Sequence, residues 1–306
     1  MNISIIIPTL NAEKDLKNNL LTLNKYNQLT NYEVIVVDSQ STDNTVKIAK
    51  EQNYKVIEIN RKDFNHGGTR NLAATYANGD ILVYLTQDII IYEDQSIHKL
   101  IQPLLENENI GLSYGRQLPH ENAGFFGSMA RLFNYGENSL IKNQSNSKEL
   151  GIKTVFCSNS FAAYRKSTLE QVGGFPKNVI LGEDSYVAGK MILKGSAIYY
   201  CAEAKVRHSH DYNLISEFKR NFDIGVFHTH EKWILESFNG AEGEGVKFVI
   251  KEMNYLIKNK KIHLIPISFL RNTSKYLGYK LGRNEKYLNG SFKKKISMYN
   301  GYWQES

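Results

Sequence analysis

Carboxylates follow several apolar, β-branched runs early in the chain, and a pair of acids stands much later at the start of a helical pattern. Asp38, Asp43 and Asp88 lie at or just after the early runs, and Glu183-Asp184 follow a Val-Gly-Gly-Phe turn. Carboxylates in such places can hold a nucleotide, a metal and a reacting group together. We therefore expect an enzyme, with its chemistry on the Glu183-Asp184 pair.

Spacing alone leaves two interpretations of Glu183-Asp184 open. Acids favour helix N-termini, so capping would explain both residues. A general base needs one carboxylate within hydrogen-bond reach of an acceptor hydroxyl, and this pair supplies one.

Asp38 ends an apolar run, and Ser-Gln-Ser-Thr-Asp follows it. A carboxylate there can accept the imide N–H of a pyrimidine base, while Ser41 or Asp43 reaches sugar hydroxyls. An Asx-turn with a helix cap would use the same residues. We favour ligand contact for Asp38 and leave both interpretations open for Asp43.

Residues 65–71 (NHGGTRN) form a glycine-containing turn that enters a helix. Free N–H groups at a helix start attract phosphate, Arg70 adds a positive fork, and the glycines admit close backbone approach. Because His66 and Arg70 flank the glycines, we favour phosphate binding over an ordinary loop with a surface arginine.

Thr86-Gln87-Asp88 closes the fourth apolar run. Asp88 can ligate Mg²⁺ or Mn²⁺ that bridges a diphosphate. A single carboxylate supplies too few ligands for a metal site, and His208 or His210 after a later strand could complete the set. A structural role for these histidines remains the alternative.

Strands and helices must position these groups. Four short runs rich in Val and Ile read as buried parallel strands: 3–7, 33–37, 55–59 and 81–85. Helical patterns separate them, which favours a doubly wound α/β fold with ligands at the carboxyl ends of the strands. Further along, the patterns predict strands over 154–164 and 198–208 and helices over 184–193 and 214–235.

Charge is distributed unevenly along the 306 residues. Residues 247–306 carry 13 Lys and Arg against three Asp and Glu, whereas residues 1–246 carry 25 against 28. The main part is therefore not basic, which argues against nucleic-acid binding. The two cysteines, Cys157 and Cys201, are too few for a disulfide framework and are expected to be buried.

The basic tail has two interpretations of equal weight. It mixes Lys with Tyr, Leu, Ile and Phe, so it could lie on anionic lipid. It could instead be a helical appendage packed on the main domain or on a second subunit. No signal peptide or membrane span is predicted, so the expected location is the cytoplasm, with peripheral contact at the inner face of the membrane.

The motifs resemble those of a known family. IIIPTLNA at 5–12, VVDSQSTD at 36–43 and Gly-Gly-Phe followed by Glu-Asp resemble family 2 inverting glycosyltransferases of the GT-A fold. FNHGGTRN at 64–71, LTQD at 85–88, YGRQLP at 114–119 and HSH at 208–210 are similar to its bacterial rhamnosyltransferase branch. The resemblance covers roughly residues 1–235.

This resemblance implies a Rossmann-like, mostly parallel sheet flanked by helices, with a basic helical C-terminal extension. Residues 1–238 would form the GT-A domain, with a nucleotide-binding half of about 1–110 and an acceptor half of about 111–238, and residues 239–306 the extension. A nucleotide-sugar donor is implied, most simply dTDP-L-rhamnose, with a cell-surface glycan or lipid-linked saccharide as acceptor. A UDP-hexose or UDP-N-acetylhexosamine donor, or a non-catalytic nucleotide-binding scaffold, are the alternatives.

The resemblance also assigns roles to residues. Asp184 would be the general base, with Glu183 and Arg116 on the acceptor side, and Asp88 with His208 would hold Mg²⁺ or Mn²⁺. One departure is visible, because the usual Asp-x-Asp metal motif is Thr86-Gln87-Asp88 here. The donor-binding set is Pro8, Thr9, Asn11, Asp38, Ser41, Asp43, His66, Gly67, Arg70, Gln87 and Asp88.

Overall fold

The computed structural model describes residues 1–240 and 243–303, and the strands within that part form one sheet flanked by helices. The strands are β1 (Ile3–Thr9), β2 (Tyr32–Asp38), β3 (Lys55–Glu58), β4 (Ile81–Leu85), β5 (Ile90–Ile91), β6 (Ile110–Leu118), β7 (Leu140–Lys142), β8 (Phe161–Arg165) and β9 (Ala197–Arg207). Their spatial order is β3-β2-β1-β4-β8-β6-β9-β5, and β7 pairs with β9.

The helices precede and follow these strands. They are α1 (Glu13–Asn27), α2 (Thr45–Glu51), α3 (His66–Tyr76), α4 (Ser96–Glu106), α5 (Phe125–Asn134), α6 (Ser147–Leu150), α7 (Lys166–Gln171), α8 (Glu183–Leu193), α9 (Leu214–His230), α10 (Lys232–Ser237), α11 (Glu244–Lys258), α12 (Ile265–Arg283) and α13 (Gly290–Ile296). Short 3-10 turns occur at 61–63, 151–154, 262–264, 285–287 and 300–303.

The first four strands are parallel, as predicted. β1 pairs with β2 and β4, and β2 pairs with β3. The side chains of β1, β2 and β4 are largely buried on both faces of the sheet, which explains why these runs are apolar without alternation. The prediction that 55–59 is a buried strand was wrong in its burial, because β3 is the last strand in the sheet order and its side chains are exposed or half-buried. Thr9 lies opposite Asp38 in the β1–β2 register, so the polar ends of these strands meet at one edge of the sheet.

Beyond β4 the sheet becomes mixed. β8 runs antiparallel between β4 and β6, and β6 runs parallel to β9. The prediction of one strand over 154–164 was wrong, because the strand begins only at Phe161. The apolar residues before it pack in the core without pairing, since the Phe156 ring lies against the rings of Tyr114 and Tyr135.

The C-terminal helices pack tightly on the main domain. A Cβ added at Gly282 would lie 2.0 Å from the Phe222 carbonyl oxygen, and one at Gly278 would lie 2.3 Å from the Phe218 carbonyl oxygen. The backbones of α9 and α12 therefore touch where only glycine fits. The predicted helix 214–235 is in fact two helices, because Glu231 leaves the helical conformation (φ −103°, ψ 52°).

The extension is helical over its described residues, as expected, and its division from the main domain at residue 238 remains a prediction. The sequence GAEGEG at 240–245 is glycine-rich and is the best candidate for a linker, and it lies partly outside the described residues. Among residues 1–240 and 243–303, no helix combines the length and apolar character needed to cross a bilayer.

Candidate active site

A cleft of about 1360 Å³ opens at the carboxyl ends of the central strands. The starts of α3 and α8 lie on one side of it, and α9, α11 and α12 supply another wall. Seven of the candidate site residues from the sequence line this one cleft: His66, Arg70, Asp88, Glu183, Asp184, His208 and His210.

Asp184 is held at the first turn of α8. Gly182 precedes this helix with a left-handed backbone (φ +78°), and a Cβ there would lie 2.9 Å from the Phe227 ring. The backbone N–H of Ser185 donates to Asp184 Oδ1 (2.7 Å), and that of Asn159 donates to Oδ2 (3.3 Å). These contacts fix the direction of the carboxylate within the cleft.

Glu183 has a different environment from its neighbour. Its Oε1 accepts from Asn159 Nδ2 at 3.1 Å and forms an ion pair with Arg70 Nη1, also at 3.1 Å. Glu183 and Arg70 are both buried, so each satisfies the charge of the other. In the structure these two side chains therefore pair with each other. The contact of Glu183 with the acceptor and the contact of Arg70 with the diphosphate remain predictions.

The two carboxyl groups of the pair have pKa values that are shifted in opposite directions. Burial, followed by the negative charge of Glu183, raises the pKa of Asp184 to about 7. Burial would also raise the pKa of Glu183, but the Arg70 charge outweighs it and keeps that pKa below its ordinary value. A carboxylate with a pKa near 7 is matched to accepting a proton at neutral pH.

Helix α3 braces the loop that leads to α8. Asn65 Nδ2 donates to the Lys177 carbonyl, and Asn71 exchanges two hydrogen bonds with the Phe175 backbone. A Cβ on Gly67 would lie 1.9 Å from the Pro176 carbonyl oxygen. Gly67, expected to admit a phosphate, is therefore required for packing against this loop.

Asp88, His208 and His210 form a second cluster in the cleft. Asp88 Oδ2 lies 3.2 Å from His208 Nε2 and 3.7 Å from His210 Nε2. All three can present one ligand atom within 4.8 Å of the others. Burial by itself would raise the pKa of Asp88, but when His208 is protonated its hydrogen bond and charge, with a hydrogen bond from Thr86, outweigh burial and lower that pKa well below its usual range.

The second nitrogen of His208 shows how this cluster is arranged. Gln117 Oε1 accepts from Arg131 Nη1 (2.7 Å) and lies 2.9 Å from His208 Nδ1. An oxygen that only accepts requires a proton on Nδ1, so neutral His208 turns the bare lone pair of Nε2 toward Asp88. Burial lowers the pKa of His208, which favours this neutral form. Two lone pairs facing each other suit a cation between them.

The ends of β1 and β2 are tied to one another. The Thr9 hydroxyl donates to Asp38 Oδ1 (3.0 Å), and the Ser41 N–H donates to Asp38 Oδ2 (2.8 Å). Asn11 Oδ1 accepts from the Thr42 N–H (2.8 Å). The turn interpretation thus accounts for the bonds that Asp38 makes, and its contact with a base remains a prediction.

Two more donor-site candidates take part in the same loops. Asp43 accepts from the N–H groups of Glu13 and Thr45. Gln87 Oε1 accepts from the Leu10 N–H (2.8 Å), which fastens the end of β4 to the end of β1. Pro8, within β1, and Gln87 stand beside this edge of the sheet and do not line the large cleft.

A smaller cleft of about 520 Å³ lies at the ends of β2 and β3. Gln40, Asn60, Gly68 and Thr69 are among its lining residues. The first turn of α3 therefore borders both clefts, since His66 faces the large one. Gln40, at φ +61°, was missed in the sequence because nothing in its type marks a binding residue.

The predicted acceptor residues are divided. Glu183 lines the large cleft, whereas Arg116 on β6 pairs with Glu137 at 3.2 Å and does not line it. Sequence reasoning also missed Asn159, Gln117 and Tyr299. Asn159 contacts Glu183, which is 24 residues away, and Gln117 contacts His208, which is 91 residues away. Tyr299 contacts His66, which lies in the first half of the chain. Contacts between such distant positions leave no local pattern in the sequence.

Solved structures share this architecture. A mannosyltransferase from Pyrobaculum calidifontis, solved with GDP-Man and Mn²⁺, has a TM-score of 0.61 at 14% identity over 93% of this chain and 88% of its own. TarS from S. aureus, solved with UDP-GlcNAc, has a TM-score of 0.56 at 18% identity over 94% and 92%. The fold is thus that of a GT-A glycosyltransferase.

Sequence comparison gives the family. The model of glycosyl transferase family 2 matches residues 4–173, and the chain belongs to that family. It is 46% identical over 305 residues to the O-antigen chain rhamnosyltransferase RfbN of Salmonella typhimurium, covering 99% of this chain and 96% of that protein. WbaN of Salmonella anatum, with the same description, is 46% identical over 98% and 95%.

Proposed function

We propose that this glycosyltransferase moves L-rhamnose from dTDP-L-rhamnose to a hydroxyl of a cell-surface or lipid-linked glycan, with inversion at the anomeric carbon. The observation that carries the chemistry is that Asp184 and the Asp88–His208–His210 cluster open into one cleft. The choice of sugar rests on the two relatives that are 46% identical.

Transfer is a single displacement. The Asp184 carboxylate accepts the proton of the acceptor hydroxyl while that oxygen forms its bond to the anomeric carbon. The bond from this carbon to the diphosphate oxygen breaks, and its electron pair leaves with dTDP. The backbone N–H groups of Ser185 and Asn159 position the base, and a pKa of about 7 gives Asp184 useful basicity without full protonation at neutral pH.

Asp88, His208 and His210 would hold a divalent cation, Mg²⁺ or Mn²⁺. One carboxylate oxygen and two imidazole nitrogens suit Mn²⁺ well, and Mg²⁺ would rely more on Asp88 and the diphosphate. When bound, such an ion neutralises charge on the leaving diphosphate. Gln117 fixes the His208 tautomer that such a ligand needs.

The nucleoside would occupy the smaller cleft at the ends of β2 and β3. This places the base beside Gln40 and Asn60 and the diphosphate near the start of α3, on the way to Asp88. The polar loops around Asp38, Ser41 and Asn11 would form the adjacent edge. A UDP donor would use the same cleft, so the base alone does not select between the two donor classes.

The donor is tested with a panel of dTDP-L-rhamnose, UDP-glucose and UDP-N-acetylglucosamine. Thermal shift and release of nucleoside diphosphate are measured with each, with and without Mn²⁺. We expect the largest shift and the fastest release with dTDP-L-rhamnose and Mn²⁺. A clear preference for either UDP-sugar would contradict the proposed donor and leave the fold assignment intact.

The outer face of α11 supports contact with an anionic bilayer at the inner face of the cell membrane. Val246, Ile250 and Ile257 recur on one side of the helix and are 63%, 55% and 56% exposed. Lys247 and Lys251 recur on the adjacent side. An exposed apolar stripe flanked by lysines is typical of helices that lie in the lipid interface. Val246 and Ile250 also line the cleft, so its mouth would face the lipid.

The membrane contact is tested by co-sedimentation with anionic vesicles. The variant Ile250→Asp/Ile257→Asp is expected to pellet much less than wild type, because it places charge in the stripe. The matched control is Leu21→Asp, which changes a leucine that is 91% exposed on α1. Equal pelleting of all three proteins would contradict the proposal. A second copy of the chain on the same face would instead give a dimer without vesicles, which sedimentation velocity detects.

A further inference from the structure

The last described residues of the chain return to the cleft. Tyr299 lines it, although it lies more than sixty residues beyond the end of α9. Its ring meets the His66 ring edge to face, with centroids 5.3 Å apart and planes at 89°. The basic extension, for which the sequence left contact with lipid and packing on protein open, thus contributes to the wall of the candidate active site.

The segment around Tyr299 is firmly anchored. The Met298 N–H donates to Asp223 Oδ2 (2.8 Å), and Asp223 is fully buried on α9. Four residues after Tyr299, the Trp303 side chain is 5% exposed and lies against the ring of Phe222. Anchors on both sides of Tyr299 hold its ring in a defined place.

The position of His66 indicates which substrate this ring would meet. The first turn of α3 separates the smaller cleft from the large one, since Gly68 and Thr69 line the former and His66 the latter. If the nucleoside lies in the smaller cleft, the transferred sugar must pass this turn to reach the cleft that holds Asp184. Tyr299 lies against that turn.

We propose that Tyr299 is a donor-contacting residue that, together with His66, forms the wall against which the transferred sugar packs. This inference rests on the proposed function. A 6-deoxyhexose presents C–H groups and a methyl group, which suit an aromatic ring, together with hydroxyls that a phenol can bind. Tyr299 would therefore recognise the sugar and leave the nucleotide untouched.

The test separates the sugar from the nucleotide. For Tyr299→Ala we expect the KM for dTDP-L-rhamnose to rise about tenfold, the scale of one aromatic contact. The affinity for dTDP alone, measured by calorimetry, should stay within about twofold. Tyr299→Phe should recover most of the loss, and Tyr299→Leu, which fills much of the space without a ring, should not.

The matched control is Tyr287→Ala, which removes a tyrosine of the same extension that is 75% exposed. Its KM should equal that of wild type. The inference is overturned if folded Tyr299→Leu has wild-type KM for the donor, if only the acceptor KM changes, or if dTDP binding weakens as much as donor binding. Absence of rhamnosyl transfer by wild type would overturn the proposed function itself and is seen before any variant is made.

Discussion

Replacing Asp184 by Asn removes a carboxyl group whose pKa is raised to about 7 by burial and by Glu183. In the unfolded chain the same group has its ordinary pKa of 3.8. Between these values the unfolded chain releases its proton while the folded protein retains it. Raising the pH therefore favours the unfolded state, and the penalty is absent below about pH 4 and complete above about pH 7.

The size of the effect follows from the shift. Each pH unit between the two pKa values costs about 1.4 kcal/mol, so the penalty grows by roughly 2–3 kcal/mol between pH 5 and pH 8. Asn cannot titrate and carries no such penalty. Its amide loses one of the two hydrogen bonds that Asp184 accepts, at about 1 kcal/mol, but this loss is the same at both pH values.

The assay is urea unfolding of wild type and Asp184→Asn at pH 5 and pH 8. We expect the free energy of unfolding of the variant to gain roughly 2–3 kcal/mol on wild type between the two pH values. The control is Asp94→Asn, at a carboxyl that is 62% exposed, for which no such gain is expected. A difference between variant and wild type that is independent of pH would refute the electrostatic account of the Glu183-Asp184 pair.

Three further predictions concern the elements around this pair. Glu183→Gln leaves Arg70 as an unpaired buried cation and should lower the free energy of unfolding by about 3–5 kcal/mol. In a double-mutant cycle the variant that also carries Arg70→Met should recover much of this loss, and additive losses would contradict the pairing. Gly282→Ala should lower the free energy of unfolding by about 1–3 kcal/mol because its Cβ would lie 2.0 Å from backbone, whereas Gly290→Ala, whose Cβ would have nothing within 4 Å, should be near neutral. Equal thermal midpoints for the two variants would contradict the packing of α12. Gln117→Leu should weaken Mn²⁺ binding about 10–100-fold in calorimetry, and unchanged affinity would show that Gln117 does not orient His208.

The N-terminal half of the fold could be predicted because its signals are local. Runs of Val and Ile buried on both faces identify β1, β2 and β4, and polar residues where they end mark the ligand edge of the sheet. The apolar run 154–164 was wrongly predicted to be a strand throughout because it gives the same local signal of burial. Its apolar residues before Phe161 are buried by packing and have no strand to pair with, and composition does not separate these two cases.

The sequence predicts which residues belong to the site better than it predicts the contacts between them. The sequence singles out both Arg70 and Glu183, but their ion pair joins positions 113 residues apart and has no local signature. The extension shows the same limit. Its lysines are visible in the composition, whereas the glycine contacts of α12 with α9 and the return of Tyr299 to the cleft depend on the tertiary fold.

The most direct test of the central claim is the transfer reaction itself, run with wild type and Asp184→Asn in the presence of dTDP-L-rhamnose, Mn²⁺ and a glycan acceptor. We expect wild type to form a rhamnoside whose anomeric configuration, read by NMR, is opposite to that of the donor. The variant should lose about 10²–10⁴-fold in kcat with its donor affinity retained. Near wild-type turnover by Asp184→Asn, or a product that keeps the configuration of the donor, would contradict a direct displacement with Asp184 as the base.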